Sequence, residues 1–135
     1  MCVTLSDKRR TVECVFDYGA LLRYRLAVAE AYGVKKALLA AIMPPFSDMD
    51  NVFIEKVEEK VPDEVADFLF ACDCGAEFNQ KQSSVIYHAL KDITLPENYN
   101  PVITAYGITY DLHKAFIEVF DLGRHKNNGV LWAWG

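Results

Sequence analysis

The sequence predicts a single small α+β domain. Its N-terminal hairpin and C-terminal strand are expected to form a short antiparallel sheet packed with about four to five helices. Alternating apolar residues near both ends of the chain predict the strands, and apolar residues spaced at the helical period through the middle predict the helices. With 135 residues, 52% of them hydrophobic, the chain can build one continuous core. Residues 1–135 are therefore expected to form one domain.

The N-terminal hairpin is predicted from two short segments. Val12, Cys14 and Phe16 stand at every second position, and the segment 3–5 before them is a second strand candidate. The polar residues 6–10 between the two segments are typical of a turn.

Two helices are predicted after the hairpin. Apolar residues from Ala20 to Tyr32 follow the 3.6-residue period, and Gly33 stands where a left-handed residue would end a helix. Lys35 to Met43 predict a second, short helix. Pro44-Pro45 must end it, because proline disfavours helical geometry in the residue before it.

The next segment predicts a helix that starts at a proline. Four apolar residues before it are spaced for one helical face, although a strand over 52–54 is an alternative: Phe53, Ile54, Val57 and Val61. Pro62 is then favoured at the first position of a new helix, whose first turn holds Asp63 and Glu64. The inward stripe of this helix is Val65, Phe68, Leu69 and Cys72. The stripe places Cys72 at the edge of the core.

The last third of the chain predicts two helices and the closing strand. Asn79 and Gln82 form a capping pair that opens one helix, and the segment 112–123 has the clearest amphipathic pattern in the chain. An irregular connection is expected around Pro96 and Pro101. Alternation over 130–134 predicts a strand that pairs with the N-terminal hairpin.

Charge is distributed unevenly along the sequence. The segment from Ser47 to Glu77 holds ten acidic and two basic residues, a local net charge of −8, whereas the whole chain carries −5. Such asymmetry favours a partner with a positive surface. The residues predicted to form a partner-binding acidic face are Asp63, Glu64, Asp67, Asp73 and Glu77. The alternative is a solvated surface that only keeps the protein soluble.

The four cysteines raise the question of metal binding. We expect Cys2, Cys14, Cys72 and Cys74 to be free thiols, because a single residue between Cys72 and Cys74 disfavours a bridge between them. A zinc site would draw on Cys72 and Cys74, on His88 or His113, and on Cys2 or Cys14 brought over by the hairpin. Paired zinc cysteines, however, usually stand two to four residues apart. No cofactor is therefore expected. A metal-binding or enzymatic domain organised by Cys72, Asp73 and Cys74 stays as the alternative hypothesis.

Basic residues are concentrated near the N-terminus. They are Lys8, Arg9, Arg10, Arg23, Arg25, Lys35 and Lys36. A nucleic-acid-binding protein would need them on one face. Because the chain is acidic overall, direct nucleic-acid binding is not expected.

Three segments resemble a set of uncharacterised bacterial and phage proteins. They are the glycine-bounded, arginine-containing helix from Gly19 to Gly33, the turn from Ala71 to Asn79, and the aromatic helix and strand from Phe116 to Trp134. The turn in those proteins has the form H-S-D-C-E-G, of which this chain keeps Asp73 and Cys74 and replaces the histidine and serine by Ala71 and Cys72. The resemblance implies a small protein of phage or mobile-element origin.

The sequence carries no catalytic motif, so a binding role is the main functional hypothesis. We expect a non-catalytic protein-binding module that inhibits a host defence nuclease, in the manner of an anti-CRISPR protein, through its acidic face. An immunity protein for a bacterial toxin is a further alternative. No apolar run approaches the roughly 20 residues of a membrane span, and no secretion signal precedes the domain, so a cytoplasmic location is expected.

Overall fold

A four-stranded antiparallel sheet brings together strands from the two ends of the chain. The computed structural model describes residues 2–34, 55, 57–72 and 74–134. In chain order the elements are β1 (Cys2–Asp7), β2 (Glu13–Asp17), α1 (Tyr18–Ala31), α2 (Asp63–Phe70), β3 (Gly75–Phe78), α3 (Gln80–Asp92), β4 (Val102–Ala105), β5 (Ile108–Asp111), α4 (Leu112–Gly123) and β6 (Val130–Trp134). The strand order in the sheet is β2-β1-β6-β3. The α+β class, the N-terminal hairpin and the closing strand are confirmed.

The helices begin and end largely where their capping residues predict. Asp17 caps α1 by accepting from the Ala20 amide at 3.1 Å, and Gly33 follows the helix with a φ of 80°. α3 opens with the predicted capping box, in which Asn79 and Gln82 each bond the backbone amide of the other. These local signals position both helices against the sheet.

The core is an aromatic cluster on one face of the sheet, where α1 and α4 pack against β1. Phe68 of α2 lies at its centre, with five ring centroids 5.9 to 6.4 Å away, and four of those rings stand at steep angles of 80° to 83° to it. The cluster consists of Tyr24, Phe68, Phe78, Phe116, Phe120 and Trp132, all buried. α2 is therefore held through its aromatic face, and its acidic face is left to solvent.

Two strand regions were not predicted. Gly75–Phe78, expected to be part of a turn, forms the edge strand β3, because its backbone pairs with β6. The connection expected to be irregular contains the hairpin of β4 and β5, whose turn residues Tyr106 and Gly107 have φ values of 53° and 80°. Positive φ at both central residues suits a tight hairpin turn. The Tyr110 hydroxyl donates to the Val15 carbonyl at 2.7 Å and fastens the hairpin to β2.

Some predicted elements lie outside the described residues. They include the helix from Lys35 to Met43, the break at Pro44-Pro45, and the positions of Phe53 and Ile54. Val57 and Val61, predicted on the same apolar face as these two, are buried. Among the described helices, none combines the length and apolar character needed to cross a membrane.

Candidate functional site

Four exposed carboxylates line one open groove on the surface just before and at the start of α2. We call this groove, of about 370 Å³, the acidic groove, and its residues are Glu55, Glu58, Glu59 and Asp63. The turn that carries the first three is anchored by the buried side chains of Val57 and Val61. Backbone bonds from Glu59 to Glu55 at 3.0 Å and from Lys60 to Val57 at 2.9 Å fix its shape. The acids are therefore presented by an anchored turn.

α2 extends the acidic surface by one helical turn. Asp63 and Glu64 occupy its first turn, where negative charge is favoured by the helix dipole, and Asp67 follows four residues after Asp63. Asp63 and Asp67 are exposed, and Glu64 is half-buried. The Asp67 carboxylate accepts a hydrogen bond from the side-chain amide of Gln82 at 3.3 Å. The structure thus brings together three of the five predicted acids and adds Glu55, Glu58 and Glu59 to them.

Of the other two predicted acids, only Glu77 is among the described residues, and it lies apart from this group. Glu77 lies on β3, where its carboxylate forms an ion pair with the Lys8 ammonium at 2.5 Å. Asp73 lies outside the described residues. None of the carboxylates of the acidic groove, nor Glu64 or Asp67, forms an ion pair with a basic side chain of the described part of the chain. Among the described residues, a group of carboxylates without an ion pair therefore lies around the start of α2.

Several basic residues near the N-terminus form contacts with other parts of the same chain. Arg9 donates to the carbonyl oxygens of Lys126 at 2.9 Å and Asn127 at 3.3 Å, and Arg10 pairs with Glu13 at 3.3 Å. Arg25 is fully buried. Lys8, Arg9, Arg10 and Arg23 are exposed, Arg25 is withdrawn from the surface, and Lys35 and Lys36 lie outside the described residues.

Arg25 closes the C-terminal end of α2 from within the core. Its Nη1 donates to the carbonyl oxygens of Ala71 at 2.6 Å, Leu69 at 3.2 Å and Phe68 at 3.4 Å. Its guanidinium also lies 5.5 Å from the centroid of the Trp132 ring. A cation is favourable here because these carbonyls form the negative end of the helix dipole. Arg25 therefore fixes where α2 ends.

The prediction that Cys72 and Cys74 are free thiols is wrong in this structure, which joins them in a disulfide. Their Cα atoms are 5.3 Å apart, within the range that a bridge needs. Cys72 is also not at the edge of the core, since α2 ends at Phe70 and both cysteines lie in an exposed turn. We call Ala71, Cys72 and Cys74 together the disulfide turn. Cys2 and Cys14 are free and half-buried, as predicted.

The zinc alternative finds no convergent ligand set. His88, its third weak candidate, is exposed on α3 with its ring 5.1 Å from that of Tyr87. Within the described residues no group of three or more His, Cys, Asp and Glu side chains is arranged to hold a metal ion. Sulfurs joined to each other are also not available as thiolate ligands.

A second concavity, of about 520 Å³, lies between β2, the β4–β5 hairpin and α4. Its lining includes Val15, Tyr110 and the Cys14 thiol, whose pKa is raised by burial and by the nearby Glu118 carboxylate. A thiol that stays protonated is a poor nucleophile. This concavity was not predicted because the β4–β5 hairpin was not predicted, although the alternation around Tyr106-Gly107 is a signal for a hairpin.

The chain was compared with known protein families, curated proteins and solved structures. No protein-family model, no curated protein and no solved structure matches the chain. The resemblance to uncharacterised bacterial and phage proteins therefore stays a prediction.

Proposed function

We propose that this protein is a non-catalytic binding module that docks its acidic groove and the adjoining acids of α2 onto a basic protein surface. The observation that carries the proposal is the gathering of Glu55, Glu58, Glu59 and Asp63 around one groove. A groove of this kind offers carboxylates to lysine and arginine side chains that otherwise hold a phosphate backbone. The partner we propose is a nucleic-acid-binding enzyme, such as a defence nuclease that a phage protein would inhibit.

Two properties of the fold support this proposal. The acids stand on a turn anchored by Val57 and Val61, so little backbone order has to be imposed on binding. Lys60, which follows three of the acids in sequence, donates its ammonium to the Gly33 carbonyl at 3.0 Å. Its charge is thereby directed toward the end of α1. The groove keeps a net negative field, which would speed association with a cationic partner.

The test compares two charge-reversed variants with the same change in net charge. The groove variant is Glu55→Lys, Glu58→Lys and Glu59→Lys, which leaves the first turn of α2 intact. The control variant is Glu30→Lys, Asp92→Lys and Glu97→Lys, three exposed acids elsewhere on the surface. Each variant and the wild-type chain would serve as bait for affinity capture from host lysate, followed by titration of the purified partner at low and moderate salt.

We expect wild-type and control baits to retain one stoichiometric partner that the groove variant loses. The purified partner should bind the groove variant at least about tenfold more weakly, with a smaller dependence on salt, because close charge pairs govern the encounter rate and its screening. Equal retention by all three baits would show that the partner does not contact the groove. An immunity protein for a basic toxin would use the same contacts, and the identity of the captured partner distinguishes it from a nuclease inhibitor.

A further inference from the structure

The disulfide turn carries a second site, independent of the acidic groove. Cys72 and Cys74 are both exposed and both lie within four residues of the end of α2. We propose that Cys72–Cys74 is a redox-active couple that exchanges with accessible thiols of the glutathione class. This bond is open to thiol exchange because an attacking thiolate can approach an exposed disulfide, whereas it cannot approach a buried one.

The bond adds little as a structural brace. It closes a loop that contains a single intervening residue, so the chain entropy it removes from the unfolded state is small. Other contacts already hold the turn: Arg25 binds the Ala71 carbonyl at 2.6 Å and the Trp132 indole donates to the Cys72 carbonyl at 2.9 Å. The Trp134 amide donates to the Cys74 carbonyl at 3.3 Å.

These same contacts keep the two sulfurs close after reduction. The backbone on both sides of the couple is fixed, by the end of α2 on one side and by the pairing of β3 with β6 on the other. A reduced pair held in this way re-forms its bond readily, because little chain order is lost in closing it. A structure that holds the turn without the bond therefore suits a reversible couple.

The geometry also assigns different roles to the two sulfurs. The Cys74 amide donates to the Cys72 sulfur at 3.3 Å, and this contact stabilises negative charge on Cys72. Cys72 is thus the leaving sulfur and Cys74 the attacked one, since the better-stabilised thiolate leaves faster.

The exchange balances as two successive displacements. A small thiolate attacks the Cys74 sulfur, the bond between the cysteines breaks, and Cys72 departs as a thiolate that takes a proton from water. A second small thiolate then attacks the small-molecule sulfur of the mixed disulfide, and Cys74 departs as a thiolate that also takes a proton from water. Two electrons pass from two small thiols to the protein, which becomes a dithiol while the small thiols become one disulfide.

The first experiment uses the wild-type chain in glutathione buffers of increasing ratio of thiol to disulfide at pH 7, followed by acid quenching and alkylation. Trypsin cuts after Lys60 and Lys81, so residues 61–81 form one peptide that carries both sulfurs and neither Cys2 nor Cys14. We expect this peptide to change from no alkyl groups to two within the buffer series, with a midpoint inside it. A peptide that stays unlabelled in every buffer, or labelled in every buffer, would overturn the proposal.

The second experiment tests the roles of the two sulfurs with the variants Cys74→Ala and Cys72→Ala. Each variant keeps one thiol of the pair and every backbone amide. We expect the Cys72 thiol of the first variant to be alkylated about threefold faster near pH 7 than the Cys74 thiol of the second. Nucleophilicity falls as a thiolate is stabilised, so a tenfold larger thiolate fraction gives only about this gain. Equal rates, or a faster Cys74 thiol, would overturn the assignment. In the wild-type chain, glutathione should be found on Cys74 in the trapped mixed disulfide.

Discussion

Replacing the buried Arg25 by methionine tests whether this side chain fixes the end of α2. The Arg25→Met variant keeps a long apolar stem and removes the donor to three carbonyl oxygens, of which the Ala71 oxygen is closest at 2.6 Å. Loss of a hydrogen bond from a charged group costs about 1.5–3 kcal/mol. Loss of the contact with Trp132 costs up to about 2 kcal/mol when the site is desolvated.

One term opposes this loss. In the methionine variant no guanidinium has to be taken out of water on folding. The absence of this desolvation cost offsets part of the lost free energy. We therefore expect the free energy of unfolding to fall by about 3 kcal/mol. Arg25→Lys should lose less, about 1–2 kcal/mol, because an ammonium keeps the charge but not the planar donor geometry.

Urea denaturation monitored by circular dichroism measures these differences. The control is Arg23→Met, an exposed arginine two residues earlier on the same helix, which should change stability by less than about 0.5 kcal/mol. Suppose that the free energy of unfolding of Arg25→Met lay within the same margin of about 0.5 kcal/mol of the wild-type value, the size of a surface substitution, or above that value. Arg25 would then not hold the end of α2.

Three further predictions concern buried polar groups and one close backbone contact. Burial opposes ionisation of Asp7, but hydrogen bonds, first from Asn128, hold its pKa below the usual 3.8. Its contribution to stability is thus present above about pH 4 and is lost as pH falls through the lower folded pKa, and Asp7→Asn should flatten that acid slope in urea titrations at different pH. Partial burial lowers the pKa of His113 from 6.5, so wild type should lose stability below that pH as the half-buried ring is forced to charge, and His113→Gln should remove this loss. Gly129→Ala would place a Cβ 2.5 Å from the Phe78 carbonyl oxygen, and calorimetry should show a destabilisation of about 2 kcal/mol.

The parts of the fold that local signals encode could be predicted from the sequence. The capping pair of Asn79 and Gln82 and the left-handed Gly33 each act through neighbours a few residues away. β3 could not be predicted in this way, because Gly75–Phe78 is a strand only through its pairing with β6, more than 50 residues later. Strand pairing over such a distance leaves little trace in a four-residue segment.

The negative charge of the candidate site could be predicted from the sequence, but the set of acidic residues that forms it could not. Net charge located the acidic segment, whereas the grouping of Glu55, Glu58 and Glu59 with Asp63 depends on how the turn anchored by Val57 meets α2. Burial of a cation cannot be inferred from its neighbours in sequence either. Arg25 counts as a basic surface residue by charge, and the carbonyl groups at the end of α2, together with the Trp132 ring, explain why it is buried.

The acidic groove and the disulfide turn lie at opposite ends of α2, about 12 Å apart along its eight residues. Arg25 holds the C-terminal end of this helix through backbone carbonyls, so its contact does not depend on whether the two sulfurs are joined. Reduction of the couple should therefore leave the acidic groove and its affinity for a basic partner unchanged. Arg25→Met, in contrast, loosens the end of α2 itself and should disturb both the couple and the groove. The two proposals can thus fail separately, because reduction of the wild-type chain changes only the couple, whereas the variant with Glu55→Lys, Glu58→Lys and Glu59→Lys changes only the groove.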